Sequence, residues 1–289
     1  MGGGGPDAGG SPSGQPGMGG MTGGGQAGGD GGTGGDGGTA PVDAGPPDFG
    51  EDSKGDTFFR VDTLVLKAPF MYVKVPLLGA QNVTADGQAE LNKALTMDVD
   101  GDGFVDLSSL IRFFKTTDPK AGSGTTTAGG GMCQMPLGPD KPCGPDKGFP
   151  FQPEVGYSNS QQGACSLAGT QEMAAAPCFV TELSSLTMEL PILGAVPLQE
   201  GQIVGTWEGA NISNGLVRGF LSKSTAEATK LGEGVPSILA LVGVKMGTPL
   251  VEFFSANEMG KNSKGEDGWW ILMSYTAKPT VFDPALKVP

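Results

Sequence analysis

Apolar side chains are sparse as far as Lys54 and strongly patterned after it. From Phe58 to Lys67, Val61, Thr63 and Val65 fall on one parity, with Arg60, Asp62 and Lys67 near the other. From Phe70 to Val75, Met71, Val73 and Val75 oppose Tyr72 and Lys74. Such period-two alternation predicts half-buried strands, separated here by Pro69 and ended by Pro76. Further on, Phe179 to Thr181, Leu186 to Leu190, Gln202 to Trp207, Leu216 to Ser222, Ser237 to Val244, Leu250 to Phe254 and Trp269 to Thr276 all read as short strands between Gly, Asn and Pro. That spacing predicts a mainly β protein, an antiparallel β-sandwich or barrel-like domain.

Helical pattern is scarce. Ala89 to Met97 predicts one short helix, and Ser224 to Leu231 another with Ser224 at its N-cap. Leu107 to Lys115 alternates through Leu107, Ser109, Ile111 and Phe113 and is read as a strand. Residues 116–178 are dominated by Gly, Pro, Thr and Ser and read as a loop insertion that holds all four cysteines. The expected organisation is a Gly-rich disordered tether over 1–55, then one β-rich domain over 56–289. The tether cannot bury enough apolar surface to offset its chain entropy, and its repeats over residues 28–39 lack a collagen period.

Charge narrows the function classes. The net charge is −13, which argues against nucleic acid or an anionic membrane as partner. There is no histidine, so Ser-His-Asp and Cys-His catalysis and every histidine metal site are excluded. No apolar run is long enough for a transmembrane helix.

One stretch carries readable metal chemistry. In Asp98-Val99-Asp100-Gly101-Asp102-Gly103-Phe104-Val105-Asp106 the carboxylates stand at alternate or near-alternate positions around two glycines. Calcium takes oxygen ligands from loop positions 1, 3, 5, 7 and 9, with Gly at 6 for the turn. Asp98, Asp100, Asp102, the Phe104 carbonyl and Asp106 fit those positions, with Gly103 at the turn. Position 12 is Ser109, which cannot supply the bidentate grip of Glu. Over these nine residues the loop resembles the calcium loops of EF-hand, dockerin and thrombospondin type 3 proteins. One weak structural Ca2+ is therefore expected. Glu258 to Asp267 is a second acidic stretch with poorer spacing.

The cysteines, Cys133, Cys143, Cys165 and Cys178, contain no C-x-x-C pair, so zinc-ribbon and redox readings are poor. An even count in a Gly/Pro-rich stretch points to two disulfides formed in an oxidising compartment. Of the three possible pairings, Cys133–Cys143 and Cys165–Cys178 close the shortest loops and are expected.

Phe59-Arg60-Val61, Asp98 to Leu110, Pro177-Cys178-Phe179-Val180-Thr181, Leu216 to Ser222 and Gly268-Trp269-Trp270 come in an order that resembles a group of bacterial secreted or lipoprotein-type β-rich domains. The resemblance implies secretion and one continuous domain over roughly residues 58–280, but supplies no activity. Phe70 stands where that group has a histidine. A Gly-rich acidic tether ahead of a Cys-bearing domain is also the pattern that follows the lipidated cysteine of surface lipoproteins. An extracellular, cell-surface or outer-membrane lipoprotein setting is expected, with the signal segment and cysteine upstream of Met1.

These readings favour a non-catalytic secreted or surface-tethered binding or structural module, braced by calcium and disulfides. Its expected partner is an extracellular glycan or a cell-surface protein. The alternative is a carboxylate-based glycoside hydrolase, for which Glu154, Glu182, Glu189 and Glu208 are available, or a carbohydrate-binding module using Trp207, Trp269 and Trp270. Adjacent strand residues point to opposite faces, so Trp269 and Trp270 cannot both enter one covered core.

Overall fold

Alternation along the strands becomes an inside and an outside. In the computed structural model, which describes residues 55–75, 77–98, 100–105, 107–138, 140–190, 194–231 and 244–286, eight strands form one wall in chain order. They are β1 (Thr57–Ala68), β2 (Ser109–Phe113), β3 (Gly124–Cys133), β4 (Val155–Ser160), β5 (Cys178–Thr181), β6 (Gly194–Glu208), β7 (Asn211–Ser222) and β8 (Asp267–Phe282). Each pairs antiparallel with the next. The last, β8, pairs antiparallel with β1 and closes the circle. The result is an up-and-down β-barrel, an architecture that removes the exposed sheet edge by closure.

Register fixes the interior. Val61 lies opposite Ala277, Leu64 opposite Tyr275 and Leu66 opposite Met273. On the other flank of β8, Ile212, Gly215, Val217, Gly219 and Leu221 face Ala277, Tyr275, Met273, Ile271 and Trp269. An irregularity between Val61 and Thr63 shifts parity once along β1, so the inward set continues at Leu64. One end of the barrel is filled by Phe59, Phe113, Tyr157, Phe179 and Trp207, with ring centroids 4.9–6.4 Å apart. This mutual edge and tilted packing of aromatics adds to their area burial.

Helix α1 (Thr84–Ala94) and α2 (Lys223–Ala228) add their apolar residues to the same core. Helix α1 also completes the wall. Strand β2 reaches β1 only as far as the Arg60–Leu110 pair. Beyond it the Asn92 side chain takes the place of a neighbouring strand, accepting from the Leu64 amide at 2.8 Å and donating to the Leu64 carbonyl at 2.7 Å.

Both expected disulfides are formed, Cys133–Cys143 and Cys165–Cys178. Each ties down a loop that covers an apolar patch on the outside of the barrel. Cys133 and Cys143 pack with Val105 and Leu110, and Cys165 and Cys178 with Leu167, Val204 and Leu216. Among the described residues no helix is long and apolar enough to cross a membrane.

Several elements differ from the sequence reading. Residues 116–178 are not an irregular insertion, because they contribute β3 and β4 to the barrel. Leu250–Phe253 forms a 3-10 turn, not a strand, because it follows Pro249 and packs Leu250 and Phe253 into the core from one face. Helix α1 begins at Thr84 and ends at Ala94, earlier than Ala89 to Met97. The cap of α2 is Ser222, whose hydroxyl accepts from the Thr225 amide at 3.1 Å. The 1–55 tether falls outside the described residues except for Gly55, as does most of the strand expected from Ser237 to Val244.

Candidate metal centre

Helix α1 leads directly into the acidic loop. Leu95, fully buried, caps the helix, and Asp98 follows one turn later. The Leu107 amide then returns to the Ala94 carbonyl at 3.2 Å, so the loop leaves and re-enters the fold at nearly the same place. Gly101 and Gly103 have φ of +80° and +91°, a region open to glycine at little cost. They permit the reversals that turn successive aspartates to one side.

The carboxylates organise the loop from within. Asp98 accepts from the amides of Gly101 at 2.7 Å, Asp102 at 3.1 Å and Gly103 at 2.9 Å. Asp100 accepts from the Asp102 amide at 3.2 Å and Asp102 from the Phe104 amide at 2.8 Å. One carboxylate oxygen from each of Asp98, Asp100 and Asp102 lies within 4.8 Å of the others. Partial desolvation pushes the Asp98 carboxyl up, but the amides of Gly103, Gly101 and Asp102, with Asp100, outweigh it and hold the group below its ordinary value. Asp98 is therefore an anion across the physiological range, as a hard-cation ligand must be.

The loop is docked, not free. The Val105 amide donates to the Cys133 carbonyl at 3.0 Å, and the Met135 amide to the Gly103 carbonyl at 2.9 Å. These two bonds flank Phe104, which faces Gln134 as a non-hydrogen-bonded antiparallel pair. The amide of Phe104 therefore points away from Gln134, to Asp102, and in extended backbone its carbonyl points to that same side. Val105 and Phe104 are buried beneath the loop while Asp100 and Asp102 stay exposed.

Of the five expected ligands, the structure brings together the carboxylates of Asp98, Asp100 and Asp102 and sets the Phe104 carbonyl on their side. Asp106 lies outside the described residues. Ser109, at position 12, is in β2 and lines the barrel interior, away from the loop. These oxygens suit a hard divalent cation with several waters.

The other candidates are dispersed. Trp207 and Trp269 are buried, their indole N–H groups given to Asn159 Oδ1 and the Ser255 carbonyl. Trp270 points outward and stacks on Arg218, whose guanidinium carbon is 3.4 Å from the ring centroid. The three indoles share no face. Glu154, Glu182 and Glu208 are exposed, and the side chain of Glu189 lies outside the description. Sequence reasoning passed over the Asp56–Arg112 ion pair at 2.5 Å, almost wholly buried, because nothing in the spacing of two single charges so far apart in the chain marks them as partners. No protein-family model, curated protein or solved structure matches the chain.

Proposed function

We propose that this protein is a non-catalytic secreted or surface-tethered module in which one structural calcium ion clamps the end of α1 to the barrel. The reading is carried by the convergence of Asp98, Asp100 and Asp102, whose carboxylate oxygens approach within 4.8 Å. Three anions so close repel each other unless a cation sits among them. The two disulfides and the acidic composition fit an oxidising, calcium-rich setting outside the cell, and a glycan or cell-surface protein suits such a module as partner. Without an acid at position 12 the site belongs with extracellular modules, whose affinities are about 10⁻⁴–10⁻³ M.

Such a site is nearly empty inside a cell and substantially filled at millimolar calcium. Binding to the folded form alone at about ten times Kd raises Tm by about 3–6 °C for a domain of this size. The test is a melt of the wild-type chain and of Asp100→Ala in about 5 mM calcium and in EGTA. The wild type should gain and the variant should not. Identical wild-type melts in the two buffers would show that the loop is only a turn.

A further inference from the structure

The barrel interior is packed at its aromatic end but not throughout. A partly open cavity of about 70 Å³ lies between Leu64, Ile111, Leu186, Met188, Ile203 and Val217. One water occupies roughly 10–15 Å³ on this measure, so the space takes about five to seven water-sized groups. Packed interiors hold few voids larger than one water, and an eight-stranded barrel is just wide enough either to fill itself or to hold one small ligand.

The cavity has a sequence cause. The inward positions of β3 are Thr126, Ala128 and Gly130, which lie opposite Phe113, Ile111 and Ser109. These small side chains cannot reach across the barrel. The wall also divides beside them. Residues before β4 stay with β3, the Gly130 amide bonding the Phe149 carbonyl and the Gln152 amide the Ala128 carbonyl. Residues after β5 leave with β6, as Ser184–Leu190 pairs along its first half. Phe149 from one side and Leu186, Thr187 and Met188 from the other line the resulting slot.

The chemistry of the space is apolar. Among its polar neighbours, the Tyr275 hydroxyl is already committed to the Val204 carbonyl at 3.2 Å, and burial pushes its pKa well above the ordinary phenol value, so it is neutral. The apolar lining and the net charge of −13 disfavour an anion there.

We propose that this cavity binds one small uncharged apolar molecule, a straight chain of about five or six carbons or a single six-membered ring, admitted between Phe149 and Met188. It does not depend on calcium. The test uses methyl-labelled full-length protein titrated with hexan-1-ol and, separately, with hexanoate. Hexanol should give saturable shifts at the methyls of Leu186, Met188, Ile203 and Val217 below about 10 mM, with affinity at least about tenfold above that of hexanoate. Ala128→Leu fills the space from β3 and should weaken hexanol at least about tenfold while leaving the melting temperature unchanged or higher. Val217→Leu fills it from β7 and gives the same answer if the first variant does not fold. Absence of saturable shifts at these methyls, unchanged affinity in the filled variants, or hexanoate binding as tightly as hexanol would overturn the proposal.

Discussion

At the scale of single residues, two carboxylates outside the acidic loop carry consequences that can be measured. The Asp56–Arg112 pair is enclosed, the Asp56 side chain completely and that of Arg112 nearly so, with the guanidinium also over the Phe114 ring at 4.2 Å. Asp56 Oδ1 further accepts from the Lys115 amide at 2.7 Å. Asp56→Ala removes a buried, charge-assisted pair and the acceptor of the Lys115 amide, so it should cost about 1–3 kcal/mol. Urea unfolding measures this as a lower midpoint at unchanged slope, and a loss under about 1 kcal/mol would mean that Arg112 is compensated elsewhere. Asp62 makes a different kind of pair. Desolvation pushes its carboxyl up, but hydrogen bonds from Lys278 and Thr276, with the charges of Lys278 and Arg60, outweigh this and hold it below the ordinary value. A carboxyl lowered in the folded state stabilises the fold above its unfolded pKa, about 3.9, and that stability is lost as pH falls through the lower folded value. The melting temperatures of wild type and Asp62→Asn should therefore differ near neutral pH and converge in acid below about pH 3. A gap that stays constant down to that pH would assign the effect to packing instead.

At the scale of elements, the acidic loop and the Cys133–Cys143 hairpin behave as one unit. Loop backbone meets hairpin backbone on both sides of Phe104, and Val105 is buried with Leu110 and the disulfide in the same outer apolar cluster. The three carboxylates are thus presented by a loop whose shape is held from below. The second disulfide covers a separate cluster built on Val204 and Leu216. On the calcium site proposed above, replacing Cys133 and Cys143 by serine should weaken calcium binding by about tenfold, as the support that orients the carboxylates relaxes. Replacing Cys165 and Cys178 should leave calcium affinity unchanged while lowering stability by about 3 kcal/mol. Calorimetric titration of both variants separates the cases, and an equal loss of affinity in the two would refute the coupling. The convergence of Asp98, Asp100 and Asp102 was legible because their carboxylates repeat at fixed spacing. The docking of the loop was not legible, since backbone bonds to Cys133 and Met135 leave no mark in side-chain pattern.

At the scale of the whole molecule, strand alternation was sufficient to foresee a mainly β domain, with sandwich and barrel left open, and it was sufficient where side chains are large. The Trp269–Trp270 pair resolves as parity requires, one indole in the core and one outside. Alternation failed at β3, where Gly-Thr-Thr-Thr-Ala-Gly-Gly-Gly reads as loop. Glycine there serves close packing, because a Cβ on Gly129 would lie 2.6 Å from the Phe151 backbone and one on Gly131 2.4 Å from Leu110. Closure of the barrel was equally hidden, since the β1–β8 pairing joins residues at opposite ends of the domain. That pairing yields a prediction that tests the architecture directly. Phe58 sits opposite Thr280, so paired backbones about 5 Å apart bring the start of β1 beside the end of β8. A short Gly/Ser linker of about eight residues spans the remaining distance from residue 286 to residue 55. The chain can then be opened in the exposed β6–β7 turn at Gly209 and Ala210. Every strand pair of the barrel survives in this circular permutant, and exposed turns tolerate such cuts. Beside a linear 55–286 control, the permutant should keep the near-ultraviolet circular dichroism and a cooperative melt within about 10 °C. If the control folds and the permutant does not, β1 and β8 are not neighbours and the sheet is open.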